Sequence, residues 1–381
     1  MSFEMLATDA PLQGIRVADF SSMVAGPYCA RWLADLGAEV WKVEPPGGDF
    51  MRSRAPMRDG RSAYFAHLNA GKRSVVLDLK QQADLGMARN LIARSDVLLE
   101  NYRPGVMRRF GLDWKSVQGV NPSLVYCSIS GFGQTGEGVE RAAYAPVVHA
   151  ASGLDLAIQD LQDGQERPAN CGIQIADVLA ATFAAFAIQT ALLRRLRTGA
   201  GQHIDLALMD SVMSLMPFEM QCLQFPGKNS RNLYKPLPTN DGFVMVAPLS
   251  QANFVAMCKA MEHLEWLGDP RFSEPVARAE HWHLMLEAMA EWTSTRSAAD
   301  CQALLEAAGV PASRYVPLAE ALLDPQMAKR GGIREIEDGS GTMLASGLPF
   351  VLSSSILPIY PHAPDLGEHN DELRSLFLTD M

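Results

Sequence analysis

Asp177 stands in NCGIQIADVLAATFAAF as the one acid between Glu166 and Asp205, just before a run of small and apolar residues. Two roles suit a carboxylate there. As an N-cap it would accept backbone N–H groups and stabilise the helix by about 1 kcal/mol. As a nucleophile it would use the same positive helix end to stay ionised, while the apolar helix shields its adducts from water. Spacing alone leaves both readings open.

Basic groups gather in two places, Lys72 and Arg73 in LNAGKRSVVLDL and Arg103, Arg108 and Arg109 in ENYRPGVMRRFGL. Loops that follow the strands of an α/β sheet bind ligands, and ammonium or guanidinium groups there suit phosphates. A solvated surface patch is the alternative. The first βα turn, DFSSMVAGPYCARWLADLGAEV, holds no G-x-G-x-x-G, and Gly26 is followed at once by Pro27, which suits a helix start better than a pyrophosphate cradle. A nicotinamide or flavin cofactor is therefore not expected. His281 and His283 flank Trp282, but helical neighbours two apart face different ways. The cysteines at 29, 127, 171, 222, 258 and 301 form no C-x-x-C pair and no cluster with histidine. A metal site is not expected, and scattered cysteines fit a reduced, cytoplasmic compartment.

The elements that must position these residues show in the hydrophobic pattern. β-Branched runs at 14–20, 38–44, 74–79, 96–101 and 124–130 read as strands, and the helical periodicity of segments such as PYCARWLADLG and QADLGMARNLIARS separates them. This β-α-β order predicts a mostly parallel, doubly wound α/β sheet. After residue 131 the alternation lapses into glycine-containing and polar loops. The apolar stretch VLAATFAAFAIQTALL follows and reads as a buried core helix, too short to span a bilayer. From about 225 the texture changes again, through PGKNSRNLYKPLPTNDG to a strand-like GFVMVAP and three helical patterns ending near 308. The expected organisation is a large Rossmann-like domain over 1–225, a smaller α+β domain over 226–330 and a tail over 331–381 that returns to the large domain.

A chain of 381 residues exceeds the roughly 100–200 of a typical domain. Its net charge of −10 disfavours a nucleic-acid partner, so any polyanion must meet a local basic patch. The start MSFEMLATDAPL carries two acids and lacks the basic and apolar regions of a signal peptide.

Taken in order, PLQGIRVADFSSMVAGPYCARWLADLGAEVWKVEPPGGD, LNAGKRSVVLDLK, DVLLENYRPGVMRRFGLDW, YCSISGFGQTG, AYAPVVHAASG, ADVLAATFA and TGAGQHIDLALMDSVMSL resemble the class III CoA-transferase family over about residues 11–215. The resemblance implies an interlocked homodimer, with coenzyme A or acyl-CoA as co-substrate on the large domain and no permanently bound cofactor. Its second substrate would be a small carboxylic acid. Asp177 then matches the nucleophile of the family's transferases. Asn101, Tyr102 and Arg109 match the block lining the CoA site, Lys72 and Arg73 the basic pair beside its phosphates, and Met23, Val24 and Ala25 the turn under the thioester. Tyr144 matches a tyrosine near the reacting acyl group.

Departures from the family narrow the reading. Formyl-CoA transferase-like sequences carry glutamine where Val24 stands, an acid at Ala145, and glycines in place of PGKNSRN, which points away from formate and oxalate as substrates. Racemase-like sequences place histidine where Tyr144 stands. His149 lies five residues further on and, on a helix, would not face the same way. The expected activity is CoA transfer through an aspartyl-CoA thioester. The alternatives are an acyl-CoA racemase or epimerase, and a catalytically silent CoA-binding protein on the same fold.

Overall fold

The computed structural model describes residues 9–162, 164–225, 234–358 and 361–378. Five strands form within the expected runs or beside them: β1 (Arg16–Asp19), β2 (Glu39–Glu44), β3 (Arg73–Val76), β4 (Val97–Glu100) and β5 (Val125–Ser130). The sequence pattern ends the alternation at residue 131, but the structure resumes it with β6 (Gln202–Ala207), parallel to β5 from Val125↔Gln202 to Ser130↔Ala207. As an edge strand β6 carries Gln202, His203 and Asp205, and these polar residues hide it from a hydrophobicity reading.

All five pairings are parallel, and the strand order is β3-β2-β1-β4-β5-β6. Chain progress reverses between β1 and β4, so a crevice opens beyond their carboxyl ends, the usual ligand position in an open α/β sheet. Both faces are covered. On one, Val17, Val97 and Val125 pack with Leu33 and the alanines of the helix Ile175–Thr198; on the other, Trp41, Val75, Leu98 and Tyr126 pack with Leu91 and Ile92.

The helix Ile175–Thr198 extends beyond the apolar stretch on both sides. By length and composition alone it could cross a membrane, a correction to the sequence reading. Ala176, Ala180, Ala184, Ile188 and Ala191 lie in the core, and such small residues let the helix pack closely against the helix Ala25–Asp35. Its outer face leaves Phe186, Leu193 and Leu196 exposed.

The chain divides into two compact units, one holding residues up to Met220 and from Pro325 onward, the other Gln221–Asp324. The first half of the connection expected at the start of the smaller domain, 226–233, lies outside the described residues. In the first unit the C-terminal segment adds a hairpin, Ile333–Glu337 with Thr342–Ser346, and the helix Asn370–Leu378. Arg334 pairs with Asp35, the Tyr28 hydroxyl lies 2.8 Å from Ser346 Oγ, and the Val76 N–H donates to Asn370 Oδ1 at 2.8 Å. The second unit has a three-stranded antiparallel sheet centred on Phe243–Val246, with a core that includes Phe254, Met257, Met285, Met289 and Leu305.

Candidate active site

The site is built on the turn that leaves β1 at the crevice. Phe20 still pairs with the sheet, its N–H donating to the Leu99 carbonyl at 2.8 Å. The chain then breaks away at Ser21 and Ser22. Asn101, just past β4, clamps the turn from both sides: its Oδ1 accepts from the Ser22 N–H and its Nδ2 donates to the Ser22 carbonyl, each at 2.8 Å. Met23 takes a left-handed conformation with φ of 66°, a costly choice for a non-glycine residue that surrounding contacts must enforce. Val24 and Ala25 are buried, and Ala25 begins the helix Ala25–Asp35. A Cβ on Gly26 would lie 2.2 Å from Ser21 Cβ, so glycine is required for strand end and helix start to close up.

Asp177 lies in the first turn of the helix Ile175–Thr198. It is not the N-cap, a position Gln174 occupies without a side-chain bond. His149 does the capping: buried on the helix Ala145–Ser152, its Nε2 accepts from the Ala176 N–H at 3.0 Å. Nε2 therefore carries no proton, and burial holds the imidazole below its ordinary pKa, keeping it neutral. Asp177 instead lies beside the N–H of Ala25, which favours its charged form, so two helix N-termini come together near one carboxylate. Burial outweighs that interaction and pushes the carboxyl up to about 6. No cation faces it among the described residues. Tyr64 is a neighbour that sequence reasoning missed. Its phenol is pushed up by burial and then by the nearby charge of Asp177, and nothing in SAYFAHLN marks it out.

The other expected residues divide. Asn101, Met23, Val24 and Ala25 come together in the turn after β1, and Ala25 lies beside Asp177. Tyr102 is half-buried beside Asn101, its N–H donating to Glu100 Oε2 at 2.9 Å. Arg109 is exposed in the short helix Val106–Arg109 and has no acidic partner among the described residues. Tyr144 precedes the helix Ala145–Ser152, is 64% exposed, and makes no hydrogen bond to Asp177 among the described residues.

Lys72 and Arg73 correct the reading that set them beside phosphates. Lys72 immediately precedes β3 and Arg73 opens it, so neither follows the strand and the argument from strand-following loops does not reach them. Lys72 is buried, and its three N–H donors are taken by Asp19 Oδ2 at 2.9 Å, the Pro27 carbonyl at 2.8 Å and Asn69 Oδ1 at 2.9 Å. Arg73 pairs with Glu372 at 3.1 Å and lies over the Trp41 ring. The cation that does follow β3 is Lys80, which is exposed.

A cavity of about 260 Å³ opens beyond β4 and β5, its lining including Arg103, Arg108, Lys115, Trp114 and His203. At its edge Glu100 is buried without a cation, and burial pushes its carboxyl up to about 7. The C-terminal end of the sheet thus brings a half-buried carboxylate against the turn after β1, with cations spread over the loops after β3 and β4.

The family description CoA-transferase family III matches residues 12–370. The succinate–glutarate CoA-transferase of Agrobacterium fabrum is 33% identical over 381 residues, covering 95% of this chain and 94% of that protein. The succinyl-CoA–D-citramalate CoA-transferase of Chloroflexus aurantiacus is 34% identical, covering 95% and 93%. Among solved structures, a CAIB/BAIF family protein from Brucella suis superposes with a TM-score of 0.82 at 33% identity, over 97% of this chain and all of that one.

Proposed function

Because the chain belongs to CoA-transferase family III, we propose that it moves coenzyme A from an acyl-CoA to a free carboxylic acid through covalent intermediates on Asp177. An Asp177 oxygen attacks the thioester carbonyl, the C–S bond breaks, and a mixed anhydride forms as CoA thiolate leaves. The thiolate attacks the aspartyl carbonyl, releases the donor acid as its carboxylate and leaves an aspartyl-CoA thioester. The acceptor carboxylate then attacks that thioester to give a second anhydride, and thiolate attack on its acyl carbon yields the new acyl-CoA and restores Asp177. No proton and no electron is consumed.

The observation that carries this reading is the setting of Asp177, a half-buried carboxylate with a pKa near 6, no neutralising cation and a backbone N–H from a second helix start. At neutral pH it is ionised and free to attack. Carboxylates are weak nucleophiles, so proximity and exclusion of water must supply the rate. The Ala25 N–H and the two helix ends suit the oxyanions that form at each acyl transfer. Arg109 and its neighbours in the loop after β4 are the cations assigned to the CoA phosphates. Racemisation is less well supported, because His149 spends Nε2 on the Ala176 N–H and has no free lone pair there to take an α-proton.

The reading includes a homodimer, interlocked as the family resemblance implies, whose interface would cover the exposed Phe186, Leu193 and Leu196. It also includes a cytoplasmic location, which suits an acyl-CoA enzyme whose six cysteines are all free. Named activities of the two relatives suggest dicarboxylic acids as the first substrates to test. Purified protein incubated with succinyl-CoA and a panel including glutarate and citramalate should yield new acyl-CoA species by mass spectrometry. No CoA exchange with any donor and acceptor would leave the silent CoA-binding alternative.

A further inference from the structure

Nothing in the run SSMVA selects a left-handed Met23, yet the turn takes that path and starts the helix Ala25–Asp35 with its first N–H beside Asp177, on the helix packed against it. Two buried lysine–aspartate pairs that the chemistry leaves idle grip this turn. Lys42, Lys72, Asp19 and Asp49 are each at most 4% exposed. Lys42 Nζ donates to Asp49 Oδ2 at 2.8 Å and to the Ser21 carbonyl at 3.0 Å. Lys72 Nζ bridges Asp19, Asn69 and the Pro27 carbonyl. Asp19 Oδ1 accepts from both the N–H, at 3.0 Å, and the hydroxyl of Ser21. Asp49 Oδ1 accepts from the Met51 N–H at 2.9 Å and reaches the Met23 N–H at 3.4 Å.

Burying four charges is costly, and well-packed apolar residues often replace such pairs without loss of stability. An apolar filler could not, however, hold the carbonyls of Ser21 and Pro27 or the N–H groups of Ser21 and Met23. Those groups bracket Ala25, so the pairs fix both ends of the segment that carries the donor. Each lysine is also tied to the sheet: Lys42 lies on β2, next to β1, and Lys72 immediately precedes β3, next to β2. The turn is therefore referenced to the sheet itself.

We propose that Lys42 and Lys72, paired with Asp49 and Asp19, are positioning residues that hold the Ser21–Pro27 turn so that the Ala25 N–H meets Asp177. The catalytic consequence rests on the transferase reading; the geometric one does not.

The test is Lys72→Met in the full chain, with three measurements. Carbon-13 NMR follows the titration of Asp177, assigned by its absence in Asp177→Asn. Calorimetry gives the affinity for free CoA, and kcat is taken at saturating acyl-CoA. With Ala25 misplaced, the Asp177 titration should move above its starting value near 6. The kcat should fall on the order of 100-fold, as for a misplaced reacting group, with CoA affinity unchanged within about twofold. If the unpaired Asp19 prevents folding, the double variant Asp19→Asn, Lys72→Met removes both charges and carries the same expectations. Weakened CoA affinity with intact kcat would make Lys72 a phosphate ligand and overturn the proposal. So would an unmoved titration and kcat in a folded variant, or failure of both variants to fold, which would make the pairs structural. Should the wild type transfer CoA to no acid, the transferase reading fails, while the titration still decides the positioning role.

Discussion

Asp177→Asn should make this protein more stable at neutral pH while removing its chemistry. The carboxyl has an ordinary pKa of 3.8 and about 6 in the folded chain. A difference of about 2 units corresponds to about 3 kcal/mol at most, since each unit is worth about 1.4 kcal/mol. The sign follows from proton uptake. Below about pH 4 the group is protonated in both states and contributes nothing to the difference. Between about 4 and 6 the unfolded chain releases its proton first, so the wild type loses stability as pH rises. Above about 6 the whole cost of keeping a half-buried charge is present. Asparagine has nearly the same shape, is neutral throughout and still presents an oxygen toward the Ala25 N–H. Thermal melts of both proteins at matched concentration should therefore coincide near pH 4 and separate by several degrees at pH 7.5, with Asp177→Asn the higher. An advantage that is independent of pH, or a variant less stable than the wild type at pH 7.5, would refute the claim that burial raises this carboxyl.

Arg109→Ala should weaken CoA binding by about 1–3 kcal/mol if the guanidinium meets a phosphate; equal affinities by calorimetry would return Arg109 to a solvated surface. An interlocked dimer should show no folded monomer on dilution, so a stable species near 41.5 kDa in sedimentation at nanomolar concentration would contradict it. In D₂O, a 2-methylacyl-CoA with an acceptor acid should exchange CoA without gaining deuterium at the α-carbon. Rapid deuterium incorporation without CoA exchange would favour the racemase.

What could be read from the sequence was local. The strands β1 to β5 announce themselves because a parallel sheet buried on both faces needs short β-branched runs, and AEVWKVE or LVYCSIS can hardly be anything else. β6 escaped because QHIDLA is half polar at the sheet edge. Asp177 stood out because it is a lone acid in an apolar setting, but its partners are fixed by tertiary contacts that spacing does not encode. The Ala25 N–H is more than a hundred residues away, and the capping role that spacing left open for Asp177 belongs to His149, in the last turn of another helix. Lys72 shows the same limit most plainly. A basic pair next to a strand suggests phosphate until the fold turns its ammonium inward onto Asp19, 53 residues earlier.

The central claim is that Asp177 becomes covalently attached during turnover. Protein mixed with acyl-CoA, quenched within milliseconds to seconds and digested should yield the peptide containing Asp177 with an added mass. Hydroxylamine should remove that mass and leave an aspartyl hydroxamate, and the adduct should be missing from Asp177→Asn. An unmodified Asp177 peptide at every quench time, in a sample that is transferring CoA between acids, would contradict the mechanism.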